Sequence, residues 1–176
     1  DDFFNNIVSI TDGDNNVYVA ASTLNEYDHY DLLVTKYNSY GVEVWSETYN
    51  ETSSGDAIAG GITLDGSNNV IITGTVYVAA NDYDLYVIKY NSSGTFQWSE
   101  TYDGTYSVYD GGKALICDGS NNIYVTGGTF ESATHSDIVT IKYNSSGVEQ
   151  WVSTFDNDDL HDGGATIGFY NSTTLI

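Results

Sequence analysis

The chain contains no proline and no methionine, has a single cysteine, and has only four basic residues. One cysteine excludes an internal disulfide, so packing and hydrogen bonds must hold the fold. No apolar run approaches the roughly 18 residues that a transmembrane helix needs, and we predict no membrane insertion. The sequence begins at Asp1 and shows no signal peptide, which leads us to expect a processed or excised mature chain.

Positive charge is scarce in this sequence. Lysine and arginine together number 4 against 25 acidic residues, which gives a net charge of −21. Nucleic-acid binding requires a basic surface that displaces counterions from phosphates, so we predict no nucleic-acid partner. Most of the acidic residues are aspartates, which favour turns and keep loops soluble. Cation binding or adaptation to high salt is the alternative interpretation.

The sequence is organised as a repeat of 53 residues. Four independent markers recur at this period without an insertion, which is the signature of a repeat architecture. The markers are a tryptophan, two aspartates and a Lys-Tyr pair, at Trp45, Trp98 and Trp151; Asp12, Asp65 and Asp118; Asp31, Asp84 and Asp137; and Lys36, Lys89 and Lys142 with the tyrosine that follows each.

Each repeat predicts four short β-strands. The runs are rich in Val, Ile, Thr and Tyr, and Gly, Asn, Asp and Ser clusters separate them. In the third repeat we predict strands at 110–118, 122–128, 137–143 and 148–155. The Asp-Gly segments (DGDNN at 12–16, then DGSNN) and the NSYG or NSSG segments predict hairpin turns, with glycine available for a positive φ. No helical period is present, so the predicted fold class is all-β.

Four antiparallel strands in about 50 residues describe a blade of a β-propeller. The combined pattern of D-G-S-N-N-x-Y-V-T-G, D-x-x-x-x-K-Y-N-S-S-G and W-x-x-T-Y is similar to the SBBP family of β-propeller repeats. This resemblance implies a secreted or cell-surface protein of bacteria or archaea with a scaffolding or binding role, and it implies no chemistry. The predicted units are blade 1 at about 3–55, blade 2 at about 56–108, blade 3 at about 109–161 and a partial blade at 162–176.

About three and a third repeats are too few for a closed propeller, which typically has four to eight blades. An open stack would leave strand edges and blade faces uncovered. The expected partners are therefore copies of the same chain or further blades of a longer chain. The strand at 162–176 could complete a blade of a neighbour in the manner of donor-strand assembly.

Asn-x-Ser/Thr sequons occur four times. Two of them, at Asn91 and Asn144, lie at the same hairpin tip of successive repeats and are the favoured N-glycosylation sites. Asn50 and Asn171 are weaker candidates. The alternative is that NSSG is only good turn chemistry.

Three of the four lysines recur at one position, in a chain that otherwise avoids cations. We predict a structural ion pair in each repeat, between the recurring lysine and a nearby aspartate. The predicted participants are Lys36, Lys89 and Lys142 with Asp12, Asp65 and Asp118.

The recurring tryptophans are predicted to form core between blades, because each lies in a strand of alternating residues. Their alternative role is to stack on carbohydrate, a ligand for which loop tyrosines at 27, 30, 106 and 109 are better placed.

Metal binding and catalysis have weak support. Asp12, Asp14 and Asn16 alternate as calcium ligands do, but later repeats replace Asp14 with serine. An acidic cluster at 156, 158, 159 and 162 and loop histidines at 29 and 135 are expected to be solvated. Because no catalytic motif is present, we predict neither an enzyme nor a resident cofactor or metal.

The predicted function is an extracellular or cell-surface structural protein, self-assembling into a filament or surface layer and N-glycosylated. The alternative is a lectin-like or adhesive binding module from a larger secreted propeller.

Overall fold

The computed structural model describes residues 6–50, 55–79, 82–106, 109–130, 135–156, 162, 166–171 and 174–175. Within these residues the chain folds into three sheets, each with four antiparallel strands paired in sequence order. The first sheet contains β1 (Ile7–Thr11), β2 (Val17–Leu24), β3 (Tyr30–Tyr37) and β4 (Glu43–Tyr49). The second contains β5 (Ala57–Leu64), β6 (Val70–Ala79), β7 (Asp82–Tyr90) and β8 (Phe96–Tyr102).

The third sheet contains β9 (Gly111–Cys117), β10 (Ile123–Thr129), β11 (Asp137–Tyr143) and β12 (Glu149–Phe155). These bounds lie within one residue of the predicted strands. The prediction of an all-β fold with four-stranded antiparallel units is confirmed. The last segment forms a small hairpin of β13 (Phe169–Asn171) and β14 (Thr174–Leu175).

The sheets stack face to face, and two apolar clusters fill the spaces between them. The first cluster joins residues of the first and second sheets, and the second joins the second and third sheets. The second sheet is consequently covered on both faces: seven consecutive residues of β7, from Asp84 to Tyr90, are buried. In β11, buried and half-buried residues alternate, as expected for a strand covered on one face.

The first strands of neighbouring sheets approach each other most closely. A Cβ atom on Gly60 would lie only 2.0 Å from the carbonyl oxygen of Gly112. The backbone spacing at this point therefore requires glycine.

The two hairpin turns of each repeat use different residues for the left-handed conformation. Glycine adopts it in the NSYG and NSSG turns, where φ is +76° at Gly41 and +85° at Gly94 and Gly147. In the Asp-Gly turns the glycine does not, and Asn15, Asn68 and Asn121 have φ of 57–61° instead. This corrects the expectation of tight Asp-Gly hairpins. The loop is closed by a hydrogen bond between residues four apart, as in the 3.1 Å bond from the Asp12 N–H to the Asn16 carbonyl. The left-handed residue that this closure requires is the fourth of the loop, Asn15, because asparagine tolerates this conformation.

Among the described residues, no helix has the length and apolar character needed to cross a membrane.

Candidate functional site at the junctions between repeats

The hairpin tip of the second repeat has a self-capped turn. The Asn91 Oδ1 atom accepts hydrogen bonds from the N–H groups of Ser93 and Thr95, both at 2.9 Å. Gly94 then turns the chain with its positive φ. Short polar side chains and glycine are what this geometry needs, so the NSSG pattern follows from the turn itself.

This tip is covered by the preceding repeat. The Trp45 Nε1 atom donates to the Ser92 carbonyl at 3.1 Å, and the Lys36 Nζ atom donates to the same oxygen at 3.4 Å. A Cβ atom on Gly94 would lie 2.8 Å from the Trp45 ring. The indole therefore lies on the glycine, and a larger residue would push it away.

The junction between the second and third repeats has the same packing, but the buried Trp98 Nε1 atom makes no hydrogen bond to a described residue. The Lys89 Nζ atom donates to the Ser145 carbonyl at 3.3 Å, and a Cβ on Gly147 would lie 2.8 Å from the Trp98 ring. A tryptophan, a lysine and the next NSSG turn thus form one recurring contact.

The tryptophans occupy two different environments. Trp45 and Trp98 are partly buried against the two clusters between the sheets. Trp151 differs from the prediction, because 37% of it is exposed. Phe155, on the same strand, is 57% exposed, whereas its counterparts Tyr49 and Tyr102 pack against the next sheet. In the described part of the chain, no NSSG turn lies over Trp151.

The recurring lysine forms an ion pair in the second repeat. The Lys89 Nζ atom lies 2.8 Å from Asp65 Oδ2, and both side chains are buried. Burial raises the pKa of Asp65, but hydrogen bonds from Lys89 and Asn69 outweigh this effect, and the pKa is lowered. The carboxylate is therefore held in its charged form.

In the first and third repeats a tyrosine stands between the predicted partners. The Tyr18 hydroxyl donates to Asp12 at 3.3 Å, and the Lys36 Nζ atom lies 4.8 Å from the centroid of the Tyr18 ring. Tyr124 is placed in the same way between Asp118 and Lys142, at 3.1 and 5.0 Å. The predicted ion pairs Lys36–Asp12 and Lys142–Asp118 are not present among the described residues. Ile71 occupies this position in the second repeat, which leaves Lys89 free to reach Asp65.

The Asp12 carboxylate serves its own turn. Its Oδ1 atom accepts the N–H groups of Asp14 and Asn16, both at 2.9 Å, and its Oδ2 atom accepts the Asn16 amide at 2.8 Å. Asp65 and Asp118 do the same in their repeats. These oxygens stabilise the turn, which favours the structural interpretation of the motif over a calcium loop.

Carboxylates gather at the opposite end of the second and third sheets. One oxygen from each of Asp82, Asp84 and Asp103 lies within 4.8 Å of the others, and Asp137, Asp156 and Asp162 form a similar group in the next repeat. Burial, followed by the charge of Asp103, raises the pKa of Asp82. The sequence indicated an acidic cluster at 156–162 but missed the buried Asp137, which arrives from another strand. Residues 158 and 159 lie outside the described residues.

The first repeat replaces one of these carboxylates with an amide. Asn50 stands at the position of Asp103, and its Nδ2 atom donates to Asp31 Oδ1 at 2.5 Å and to the Gly55 carbonyl at 3.0 Å. The nitrogen that would carry a glycan is therefore engaged. At Asn91 and Asn144 no hydrogen bond of Nδ2 to another described residue is present. The side chain of Asn171 lies outside the described residues.

Tyrosines cluster at the same end as these carboxylates. The rings of Tyr77 and Tyr83 have centroids 5.3 Å apart, and those of Tyr83 and Tyr109 are 5.8 Å apart. The Tyr83 hydroxyl donates to Asp56 at 3.3 Å, while the His29 Nδ1 atom lies 3.7 Å from the same carboxylate. Of the predicted surface tyrosines, those at 27, 106 and 109 are 66%, 44% and 41% exposed, whereas Tyr30 is half-buried.

Three stacked four-stranded sheets define a repeat protein of the β-propeller type, and comparison with known proteins supports this class. The chain is similar to an uncharacterized WD repeat-containing protein of Acanthamoeba polyphaga mimivirus, at 25% identity over an alignment 145 residues long. The match covers 65% of this chain, which spans about 10% of the length of that relative. WD repeats are four-stranded propeller units. No model of a known protein family matches the chain, so the SBBP resemblance stays a prediction.

The glycine beneath Trp45 gives a first prediction. Gly94→Ala should destabilise the protein more than Gly41→Ala, by about 1–3 kcal/mol, because both substitutions incur the positive-φ strain but only the first meets an indole. Urea denaturation, monitored by the circular dichroism of the tyrosines, measures the difference in unfolding free energy. Equal losses of stability would show that the indole does not need this glycine.

The buried ion pair gives a second prediction. Lys89→Met leaves a buried carboxylate without its cation and should cost about 3 kcal/mol or more. Lys36→Met removes only a cation–π contact and a long hydrogen bond, at about 1 kcal/mol. The unfolding free energies of the two variants show whether Lys89 contributes more to stability than Lys36. An unchanged stability of Lys89→Met would contradict a stabilising ion pair with Asp65.

The carboxylate cluster gives a third prediction. Asp103→Asn should stabilise the protein at pH 7 by up to about 1 kcal/mol, because it removes charge repulsion and copies Asn50. The raised pKa of Asp82 means that the folded state gains a proton more readily than the unfolded state, so low pH relieves the same repulsion. The stabilisation caused by Asp103→Asn should therefore decrease as the pH falls through the pKa of Asp82.

The reverse exchange is the control for this prediction. Asn50→Asp should lower the stability by about 1–3 kcal/mol at pH 7, because it loses two hydrogen bonds and creates a like-charge contact with Asp31. Thermal melts of both variants from pH 3 to 7 make the measurement. A stabilising Asn50→Asp would overturn the interpretation.

Proposed function

We propose that this protein is a non-catalytic structural component of the extracellular surface, whose stack of blades is extended by further blades from other copies of the chain. The carrying observation is the apolar outer face of the third sheet, where Trp151 and Phe155 are 37% and 57% exposed. The equivalent pairs in the first two repeats are covered by the next sheet. Repeat proteins normally cap such faces with polar residues.

The opposite face of the stack supports the same proposal. On the first sheet Ile7 is 67% exposed, Val44 is 53% exposed, and Tyr40 at the hairpin tip is 90% exposed. A Cβ atom on Gly41 in this tip would have nothing within 4 Å, whereas Gly94 and Gly147 lie beneath tryptophans. The stack thus presents the turn half of a junction on one side and the tryptophan half on the other. Heterologous contacts of this kind build rings or filaments.

The fourth prediction tests assembly. Light scattering and negative-stain imaging of the chain should find particles much larger than its 19.2 kDa mass. A Trp151→Ser, Phe155→Ser double variant should shift assembly to concentrations at least about tenfold higher, since exposed aromatic anchors dominate such contacts. Tyr27→Ser, which alters an exposed aromatic residue in a loop away from this face, is the control. A stable monomer of the unaltered chain would sink the assembly proposal and leave a segment of a larger surface propeller.

The extracellular setting rests on the resemblance of the repeat to secreted and surface proteins, and glycosylation belongs to the same proposal. Asn91 and Asn144 use their Oδ1 atoms to cap the turn, which leaves the amide nitrogen for a glycan. Asn50 uses its nitrogen in the fold.

The fifth prediction concerns these sequons. In protein isolated from its native source, peptide mass spectrometry should find glycans at Asn91 and Asn144 and an unmodified Asn50. Occupancy of Asn50 alone, or of no sequon, would contradict the assignment.

A lectin-like or adhesive module is the second candidate, which the tyrosine cluster favours. Exposed aromatic faces near carboxylates suit stacking on sugar rings and acceptance of hydrogen bonds from hydroxyls; the Tyr109 ring packs against Tyr83, which is bonded to Asp56. Retention of the monomer on a neutral-glycan array, lost in Tyr109→Ala, would support this function over assembly.

A further inference from the structure

The fourth lysine is the exception among the cations. Lys36, Lys89 and Lys142 each stand at the recurring position and contact a tyrosine ring or an aspartate. Lys113 lies elsewhere, in β9, where the preceding repeat has Gly60. Among the described residues it has neither a hydrogen bond nor an ion pair, and it is exposed. A residue that breaks the repeat pattern is not explained by the architecture of the repeat.

A β-bulge places this lysine. In the pairing of β9 with β10, Gly112 lies opposite Gly127 and Ala114 lies opposite Thr126, so Lys113 is the extra residue. The second sheet has the same bulge at Gly60. Bulges re-aim a side chain away from the regular alternation and are frequent beside binding sites.

Two cavities meet at this point and share Lys113 and Gly60 in their linings. One has a volume of about 160 Å³ and includes Asn6, Thr75 and Tyr109. The other has a volume of about 380 Å³, is more open, and includes Ser9. The larger cavity is bounded by the first strands of all three sheets and by residues 166–167, which places it along the inner edge of the stack.

The linings of these cavities contrast with the charge of the chain. The protein has 25 acidic residues and a net charge of −21, yet no carboxylate of the residues that the structure describes lines either cavity. Charges beyond the Debye length of about 8 Å at physiological ionic strength are largely screened, so the local groups decide what can bind. Those groups are one ammonium, one amide and four hydroxyls, from Lys113, Asn6, Ser9, Thr75, Tyr109 and Thr166.

We propose that this inner groove binds a small organic acid that carries hydroxyl groups, of the size of a monosaccharide acid, with its carboxylate on Lys113. An ammonium forms a charge-assisted hydrogen bond with a carboxylate, which is stronger than a neutral one. Amide and hydroxyl groups, such as those of Asn6 and Tyr109, complement sugar hydroxyls as donors and acceptors. Cavities of a few hundred Å³ suit ligands of this size. The site does not depend on whether copies of the chain assemble.

Saturation-transfer difference NMR on the full chain tests the site, because it observes the ligand whether the protein is a monomer or a large particle. Sodium glucuronate is the probe, and D-glucose at matched ionic strength is the control without a carboxylate. We expect saturable binding of glucuronate. Glucose should bind at least about tenfold more weakly, because it cannot form the charged hydrogen bond with Lys113. Lys113→Gln should weaken glucuronate binding by about the same factor, and Lys113→Arg should retain it.

The variants remain interpretable because the Lys113 side chain is exposed and has no partner to lose among the described residues. Unchanged thermal melts verify that each variant is folded. Equal signals for glucuronate and glucose would overturn the proposal, as would an unaltered affinity in Lys113→Gln. Acetate that binds as tightly as glucuronate would overturn the role of the hydroxyl groups.

Discussion

The stack depends on one contact, in which the indole of one sheet lies against a glycine turn of the next. Trp45 over Gly94 and Trp98 over Gly147 fix how far each sheet is shifted along its neighbour. The carbonyl of Ser92 is bonded by both Trp45 and Lys36, so the same contact also sets the angle of the turn. Once these points are fixed, the apolar faces between them meet in register, and the two clusters can exclude water.

Electrostatics follow from this geometry. One lysine lies at each of the two junctions, although the chain has few cations. It donates to a carbonyl of the next repeat and contacts either an aspartate or a tyrosine of the same repeat. The residue at the position of Tyr18, Ile71 and Tyr124 decides which of these partners the lysine meets. A buried ion pair needs both partners in full contact, whereas a tyrosine can contact the carboxylate with its hydroxyl and the cation with its ring.

The strands could be predicted because β-patterning and turn residues are local and are repeated three times. The bounds of β9 to β12 required nothing beyond neighbouring residues. The ion pair of Lys89 could also be predicted, because a lysine that recurs at one position of an acidic repeat indicates a structural role. What sequence could not indicate was the effect of one nearby substitution: Ile71 permits the pair, and Tyr18 and Tyr124 replace it. The approach of Asp84 and Asp103, and the bulge that places Lys113, likewise depend on contacts between strands, for which the sequence pattern carries no signal. Tyr83, between two other aromatic rings, was missed for the same reason.

Each junction draws only on adjacent repeats: the tryptophan and lysine of one unit and the turn of the following one. An in-frame duplication of 53 codons would therefore insert a new blade together with one new junction, and every existing junction would keep its residues. Unequal recombination between such repeats could lengthen or shorten the array by whole blades, because each repeat contacts only its neighbours. The glycine under the indole thus allows the array to change length by whole blades while each junction keeps the same contact.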